Sequence, residues 1–499
     1  MQYDLFQKNP FIVEINMCPR FIAATLAVSR TFLLLIPVSL FGCAAVGPEY
    51  LPPAIETPVK WEAALPHGGQ QAVLKDWWSQ FDDPVLTGLI VDAQATSPTL
   101  AIAAARIAEA RAALTVSQSA TLPALNGTTA VNTGNASKSG IPASTHSVVA
   151  SVAVDALWEL DLFGSVRRST EAAAARLSAR QFEWHEARIS LAAEVANVYV
   201  GYRACRQLEA AFARDAVSRG EAQRLIRLLA ETGFSARADM ELADASLSDA
   251  RSELENQRAT CEIAVKSMVT LIGLPEIPLR ARLNDGDATA PARLPVPSAF
   301  TVEAVPLRAL SQRPDLAAAE RGLAAASADV GLAEANRYPR LTLSGSISLV
   351  NIIGGTGAGM SSQPWSIIPA MSVPLFDADK RAAGVKIAEA RLAQQRAAYE
   401  AAVRSAVNEV EQALVNLDST RRREADAQAA AAGYANYFNA AETNWRAGGV
   451  SLLSLEDARR NANLAERKLI ALQRLRVQSW ISLYKALGGG WQAGAGDIS

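Results

Sequence analysis

The same pattern passes through this chain twice, so whatever architecture suits one half must suit the other. Ser97-Pro98-Thr99-Leu100 returns as Arg313-Pro314-Asp315-Leu316 and Pro123 returns as Pro339, both displaced by 216 residues. Arg176-Leu177 with Arg391-Leu392, Glu194-Val195 with Glu409-Val410, Gly233 with Gly448, and Ile272-Gly273 with Leu487-Gly488 follow at a displacement of 215. A repeated unit covers its apolar face with its neighbour, so two halves of about 175 residues point to one pseudo-symmetric body.

Of the 499 residues, 50% are hydrophobic but only 6% are aromatic. The apolar mass is mostly Ala, Leu and Val in helix-favouring company, which suits long, closely packed helices. Net charge is -2, from 48 basic and 50 acidic residues that are interspersed along the chain. That pattern offers no footprint for a polyanion, so nucleic acid is excluded as a partner.

Residues 31–41 form a short apolar run behind Arg20 and Arg30, followed by Gly42-Cys43. This reads as an export signal over residues 1–42, too short to span a bilayer permanently. The long lead admits Met17 as an alternative start, and Cys18 is discarded either way. No other run reaches the ~18 apolar residues of a membrane helix, so strands must make any crossing by the mature chain.

Strand signals occur in both halves. Val148, Ala150, Val152, Val154, Ala156, Trp158 and Leu160 alternate with a face that includes Ser147, Ser151, Asp155 and Glu159. Leu341, Leu343, Gly345, Ile347 and Leu349 alternate with Thr342, Ser344, Ser346 and Ser348. This period of two is that of a strand with one dry and one wet face, and residues 122–133 and 365–376 supply a partner for each. Four strands cannot close a membrane barrel, whose smallest examples have about eight, so several chains must contribute to one. A soluble sheet with one dry face is the alternative.

The segments after each hairpin predict long helices. No proline falls between Ser165 and Glu231, where Leu177, Trp184, Leu191, Val198, Cys205 and Phe212 recur at steps of seven. Gly233 breaks this helix, and Met240, Leu247, Leu254, Cys261 and Met268 carry a return helix. Val403, Val407, Val410, Leu414 and Leu417, then Leu455, Ala462, Leu469 and Leu483 beyond Gly448, repeat the arrangement. These are coiled-coil seams of two helical hairpins. At 1.5 Å per residue the long arms extend roughly 100 Å. Cys205 and Cys261 lie equally far from Gly233 on opposing seams, which predicts a disulfide in an oxidising compartment, against two unlinked buried thiols.

Chemistry is sparse elsewhere. His67, His146 and His185 are far apart, so no metal cluster, catalytic residue or cofactor site is assigned, and the chain is not read as an enzyme. The glycines at 355, 357 and 359 lack a following Lys and lie between strands, so they read as an exposed loop.

Taken together, Cys43 to Tyr50, Trp77-Trp78 with Phe81, Pro84 and Leu86, Ala105 to Arg111, Asp161 to Gly164, Arg313-Pro314-Asp315-Leu316, Tyr338-Pro339 and Val373 to Phe376 resemble the TolC-like outer-membrane efflux family, NodT-like lipoprotein branch. The resemblance implies a mainly α fold with a small β part, in which three chains make a 12-stranded barrel joined to a periplasmic helical barrel. Leu40-Phe41-Gly42-Cys43 resembles a lipobox, making Cys43 the lipidated first residue and outer-membrane lipid a partner, and Ala44 implies delivery to the outer membrane. The implied division is 43–97 as lipidated segment and equatorial tether, 98–273 as first repeat, 274–312 as linker, 313–488 as second repeat and 489–499 as tail.

In that family the hairpin tips close the tunnel and meet a periplasmic adaptor. The matching positions are Gly233, Phe234 and Ser235, and Gly448, Gly449 and Val450. Asp239 and Asp457 then become candidates for acidic rings around a threefold pore, and Arg237 and Arg446 for ion pairs that hold the tips shut. A carboxylate in the first turns of a helix also suits the helix dipole alone. The function implied is a passive trimeric exit duct for small amphiphilic compounds or drugs, working with an adaptor and an inner-membrane pump of the resistance-nodulation-division class. The alternatives are the duct of a type I protein-secretion system and a structural envelope lipoprotein without a pore.

Overall fold

The computed structural model describes residues 45–53, 58, 60–63, 77–135, 146–284, 293–295, 310–354 and 360–491. The export segment, Cys43, His67 and the glycine run at 355–359 lie outside the described residues.

Among the described residues, eight helices and five strands follow a 3-10 turn at Trp77–Phe81. In chain order they are α1 (Pro84–Thr96), α2 (Pro98–Ser119), β1 (Ala124–Asn135), β2 (His146–Leu160), α3 (Ser165–Glu231), α4 (Arg237–Ile272), α5 (Glu276–Asn284), α6 (Pro314–Ala335), β3 (Arg340–Gly354), β4 (Met360–Ser362), β5 (Trp365–Ser372), α7 (Lys380–Arg446) and α8 (Leu452–Ala486). Local chemistry sets several boundaries. Asp83 accepts from the amides of Val85 and Leu86, both at 3.0 Å, and Pro84 opens α1. Ser97 caps α2 through Leu100 N at 3.4 Å ahead of Pro98. Each of these side chains satisfies amides that a helix start leaves without partners, and proline costs nothing at the first position.

All strand pairings are antiparallel, in the order β1-β2-β3, with β4 and β5 both on β3. Val350 faces Ser362 and Ile347 faces Trp365, so β4 and β5 keep one register and form a single interrupted strand. The break falls at Gln363-Pro364, where proline has no amide to give the ladder, although Ser348 N still reaches Pro364 O at 3.0 Å. The register gathers Leu125, Val131, Val152, Val154, Ile347, Leu349, Trp365 and Ile367 on one face, where all are exposed. Asn126, Asp155, Ser346 and Ser366 form one row across the opposite face. The outer edges of β1 and of β4–β5 have no strand partner among the described residues.

Below the sheet, α3 and α7 each run for 67 residues, about 100 Å at 1.5 Å per residue. Beside the sheet-proximal halves the order across the layer is α2, α3, α6, α7; beside the distal halves it is α4, α3, α8, α7. Central position explains the composition of α3. Many of its buried residues are alanines, including Ala172, Ala173, Ala192, Ala193, Ala196 and Ala204, which let several helices approach its backbone. Leu191 and Cys205 of the expected seam are buried, while Leu177, Trp184, Val198 and Phe212 are half-buried. In the second hairpin Val403, Val410, Leu414, Leu417, Leu455 and Leu483 are buried. Most of α2 is exposed on the flank that also carries the β1 edge.

The main core sits at the waist, where Leu86, Leu89 and Ile90 of α1 meet Val195, Tyr199 and Val200 of α3, Val265 and Met268 of α4, and Ile481 of α8. The segment expected to link the repeats, 274–312, contributes to this core. Residues 276–284 form helix α5, and Leu279 and Leu283 are buried in that core. Nine residues are too few to show a helical period, and Pro278 is tolerated because it falls in the first turn.

Both repeats close on themselves in the same way. Gly273 at the end of α4 packs on Thr96, whose hydroxyl donates to Ile272 O. Its counterpart Gly488 packs on Gln312, and a Cβ there would lie 2.1 Å from the Gln312 carbonyl oxygen. Beside it the buried Arg313 guanidinium donates to Asp315 at 3.0 and 2.7 Å, to Ala486 O at 2.8 Å and to Glu409 at 2.9 Å. The Arg-Pro-Asp-Leu motif is therefore a clamp that joins the start of α6 to the end of α8 and to α7.

Candidate functional site

The hairpin tips are the ends of the molecule farthest from the sheet. Gly233 and Gly448 take φ of 81° and 77°, left-handed values that glycine adopts without strain, and this lets each long helix stop within one residue. Phe234 N then reaches Leu229 O at 2.7 Å and Gly449 N reaches Asn444 O at 2.8 Å, occupying carbonyls that the helix ends would leave open. Phe234 is 84% exposed. Ser235 is half-buried, Gly448 and Gly449 are exposed and Val450 is half-buried.

Asp239 accepts from Ser235 Oγ at 3.1 Å in the first turn of α4. Asp457 pairs with Arg460 of its own helix at 2.5 Å. Arg237 is exposed and its acid neighbour is Glu241, one turn on, at 4.0 Å. Arg446 bridges helices, reaching Glu221 of α3 at 3.6 Å as well as Glu442 of α7 at 3.2 Å. Within one chain the four candidates thus do not converge, and only Arg446 links the two hairpins. Asp244, farther along α4, accepts from Gln223 at 2.7 Å and from Arg227 at 3.0 Å, both on α3. These two donors hold its carboxyl below the usual aspartate range, the Gln223 hydrogen bond most of all.

A second polar group lies about 20 Å above the tips, roughly 14 residues along a helix. Asp215 and Arg219 of α3 meet Ser246 of α4 and Glu456 and Arg459 of α8. Arg219 reaches Asp215 at 3.0 Å and Ser246 Oγ at 2.7 Å, and Ser246 Oγ donates to Glu456 at 3.0 Å. Arg459 is only 2% exposed; it pairs with Glu456, donates to Ser218 Oγ at 3.2 Å and lies over Phe438 of α7 at 5.4 Å. Two acids and two guanidiniums thus tie both hairpins together in a nearly dry setting. Sequence reasoning missed this network, although its signal was present: seven residues past Phe212 the apolar seam arrives at Arg219, a charge where a knob belongs.

Midway up the first hairpin Cys205 and Cys261 form a disulfide with Cα atoms 5.6 Å apart, and both residues are buried. The second hairpin holds no cysteine. At the other end of the helices, residues 45–47 lie against the sheet–helix junction. Val46 N donates to Phe163 O at 3.1 Å, and the buried Arg168 donates to Val46 O at 3.2 Å and Gly47 O at 3.3 Å. The segment then descends, with Tyr50 OH on Glu320 at 2.6 Å and Trp61 buried against Val410, Leu414 and Trp480. Glu411 accepts from the amides of Glu62 and Ala63 at 2.8 and 2.9 Å. Among the described residues no group of His, Cys, Asp and Glu could hold a metal ion.

Comparison with known proteins places this architecture among others. The sequence profile described as outer membrane efflux protein matches residues 89–274 and again 305–489. Outer membrane protein OprJ of Pseudomonas aeruginosa is 31% identical over 92% of this chain and 96% of its own length. Cation efflux system protein CusC of Escherichia coli is 28% identical over 92% of this chain and 98% of its own. Among solved structures, the outer-membrane channel OprN superposes with a TM-score of 0.79 at 28% identity, covering 90% of this chain and all of that one. The open state of the MtrE channel of Neisseria gonorrhoeae superposes with a TM-score of 0.74 at 25% identity, covering 90% and 98%.

Proposed function

This chain belongs to the outer membrane efflux protein family, and from that membership we propose that three copies close head to tail into one passive exit duct. It is an outer-membrane channel of the efflux class, with a TolC-like fold. The observation that carries the trimer is the coincidence of open flanks: β1 and α2 leave one side of the chain uncovered, and β5 and α7 leave the other. A rotation that joins one flank to the opposite flank of the next copy satisfies strand edges and helix faces together, as a heterologous ring requires. Three copies of four strands exceed the barrel minimum of about eight and enclose a lumen.

In this reading the exposed apolar face of the sheet meets lipid and the polar face lines the lumen. The helices reach roughly 100 Å into the periplasm. There the turns at Gly233-Phe234-Ser235 and Gly448-Gly449-Val450 dock an adaptor that links the duct to an inner-membrane pump of the resistance-nodulation-division class. Asp239 and Asp457 form acidic rings around the axis, with Arg237 and Arg446 beside them. Cargo is small and amphiphilic; the toluene efflux pump outer membrane protein TtgI of Pseudomonas putida, 27% identical, carries a name of that class, whereas CusC is named for cation efflux.

Lipidation of Cys43 is inferred from the lipobox-like Leu40-Phe41-Gly42-Cys43. Val46, three residues further along the sequence, hydrogen-bonds to Phe163 at the sheet–helix junction. Reconstruction of the detergent-purified complex tests the assembly, with a threefold particle expected; a monomer in a native-like bilayer overturns it. Deletion of the gene should raise susceptibility to small toxic compounds and leave secreted polypeptides unchanged. Loss of a secreted polypeptide instead makes the duct part of a protein-secretion system.

A further inference from the structure

We propose that Asp155, deep in the strand region, sets a preference for cations over anions in the barrel lumen, independently of the carboxylates at the tips. The inference rests on the trimeric duct described above.

The pairing registers place Asn126, Asp155, Ser346 and Ser366 side by side in one row across the sheet. The neighbouring row away from the helices is Thr128, Ala153 and Ser348, and the row toward them is Ala124, Leu157, Ser344 and Ile368. Among the described residues this polar face carries two other ionisable side chains, Glu159 and Arg340. Both sit at the foot of the sheet, are of opposite sign and are engaged locally: Glu159 accepts from Ser165 Oγ at 3.1 Å, and Arg340 donates to Asn336. Among the described residues Asp155 is thus the one charged side chain in the middle of the wet face, in a row with Asn126, Ser346 and Ser366. Thr128 Oγ1 donates to its Oδ2 at 3.1 Å, a contact that orients the carboxylate without neutralising it.

Geometry makes that charge effective. Twelve strands spaced ~4.8 Å apart and tilted ~40° give a backbone radius of about 12 Å. An aspartate pointing inward stands about 8 Å from the axis, comparable with the Debye length of ~10 Å at 0.1 M salt, so no path through the lumen escapes its field. Three such charges, screened at 0.1 M, bias cations over anions by about five- to tenfold. At 1 M, where the Debye length is ~3 Å, the bias nearly vanishes.

The test is reversal potential across planar bilayers holding the full-length protein under a KCl gradient centred near 0.1 M. Wild type is compared with Asp155→Asn, Asp155→Lys and, as a control for the tips, Asp457→Asn. Heat-modifiable migration of each variant checks that the trimer has formed; Asp155→Asn keeps an acceptor for Thr128. The expected result is a potassium-to-chloride ratio above one that falls severalfold in Asp155→Asn, inverts in Asp155→Lys and converges toward one at 1 M. Unchanged ratios in both Asp155 variants, with a shift only in Asp457→Asn, overturn the inference and leave the duct intact. Absence of any conductance from assembled wild type overturns the duct reading itself.

Discussion

Single residues hold the joints of this molecule. Arg313 is buried and meets two carboxylates and a helix-terminal carbonyl, so Arg313→Ala should lower trimer stability by about 3 kcal/mol, seen as an earlier heat-dissociation midpoint in detergent. Gly488→Ala should do comparable harm, since its φ of 81° is left-handed and its Cβ would press on Gln312 O. Glu186 on α3 offers a pH signature. Burial is the main cause that raises its pKa, opposed by a hydrogen bond from Ser190 at 2.7 Å, with Asp315 raising it and Lys485 and Arg313 lowering it. A carboxyl whose folded value lies above its unfolded value binds its proton more tightly in the native state. It therefore weakens the fold at neutral pH, and the cost is relieved as pH falls through the folded value. Glu186→Gln should raise the dissociation midpoint at pH 7, with the gain shrinking toward pH 4; a constant gain would contradict the sign.

At the scale of elements, the two faces of the sheet make opposite predictions for one chemical change. Ile347→Lys puts a charge on the apolar face and should cost about 2–4 kcal/mol, depleting heat-modifiable trimer from outer-membrane fractions, whereas Ser346→Lys on the wet face should assemble. Strand alternation, long proline-free helices and the glycine-ended tips were all legible in the sequence because each is a local pattern with its own period. Helix α5 was not, since two leucines in nine residues carry no period, and their burial depends on α1 and α4 arriving at the same place. The split of the last strand into β4 and β5 reflects one missing amide at Pro364 and no change of register. The Asp215–Arg219–Glu456–Arg459 network was hidden for a related reason: its members come from two hairpins more than 200 residues apart, and only the interruption of the α3 seam at Arg219 announced it. The candidate tip residues were located by the repeat and by resemblance, but their pairing partners, such as Glu221 for Arg446, required α3 and α7 to flank α8 near the tips.

At the scale of the whole molecule, the amino-terminal segment acts as a strap from the sheet–helix junction to the waist, held by Arg168, Glu320 and Glu411. Cys43→Ala should abolish palmitate labelling and reduce the fraction of chain recovered in the outer membrane, while Glu411→Ala should leave labelling intact and expose the strap to proteolysis. The two posts also differ in how they are wired. The Cys205–Cys261 crosslink, spanning 56 residues, turns the lower part of one post into a covalent macrocycle, whereas the other post is a simple bend in the polypeptide. Clipping at the Gly233 turn should thus leave a single band on a non-reducing denaturing gel, separable only after dithiothreitol. The same clip at Gly448 should release the last helix at once.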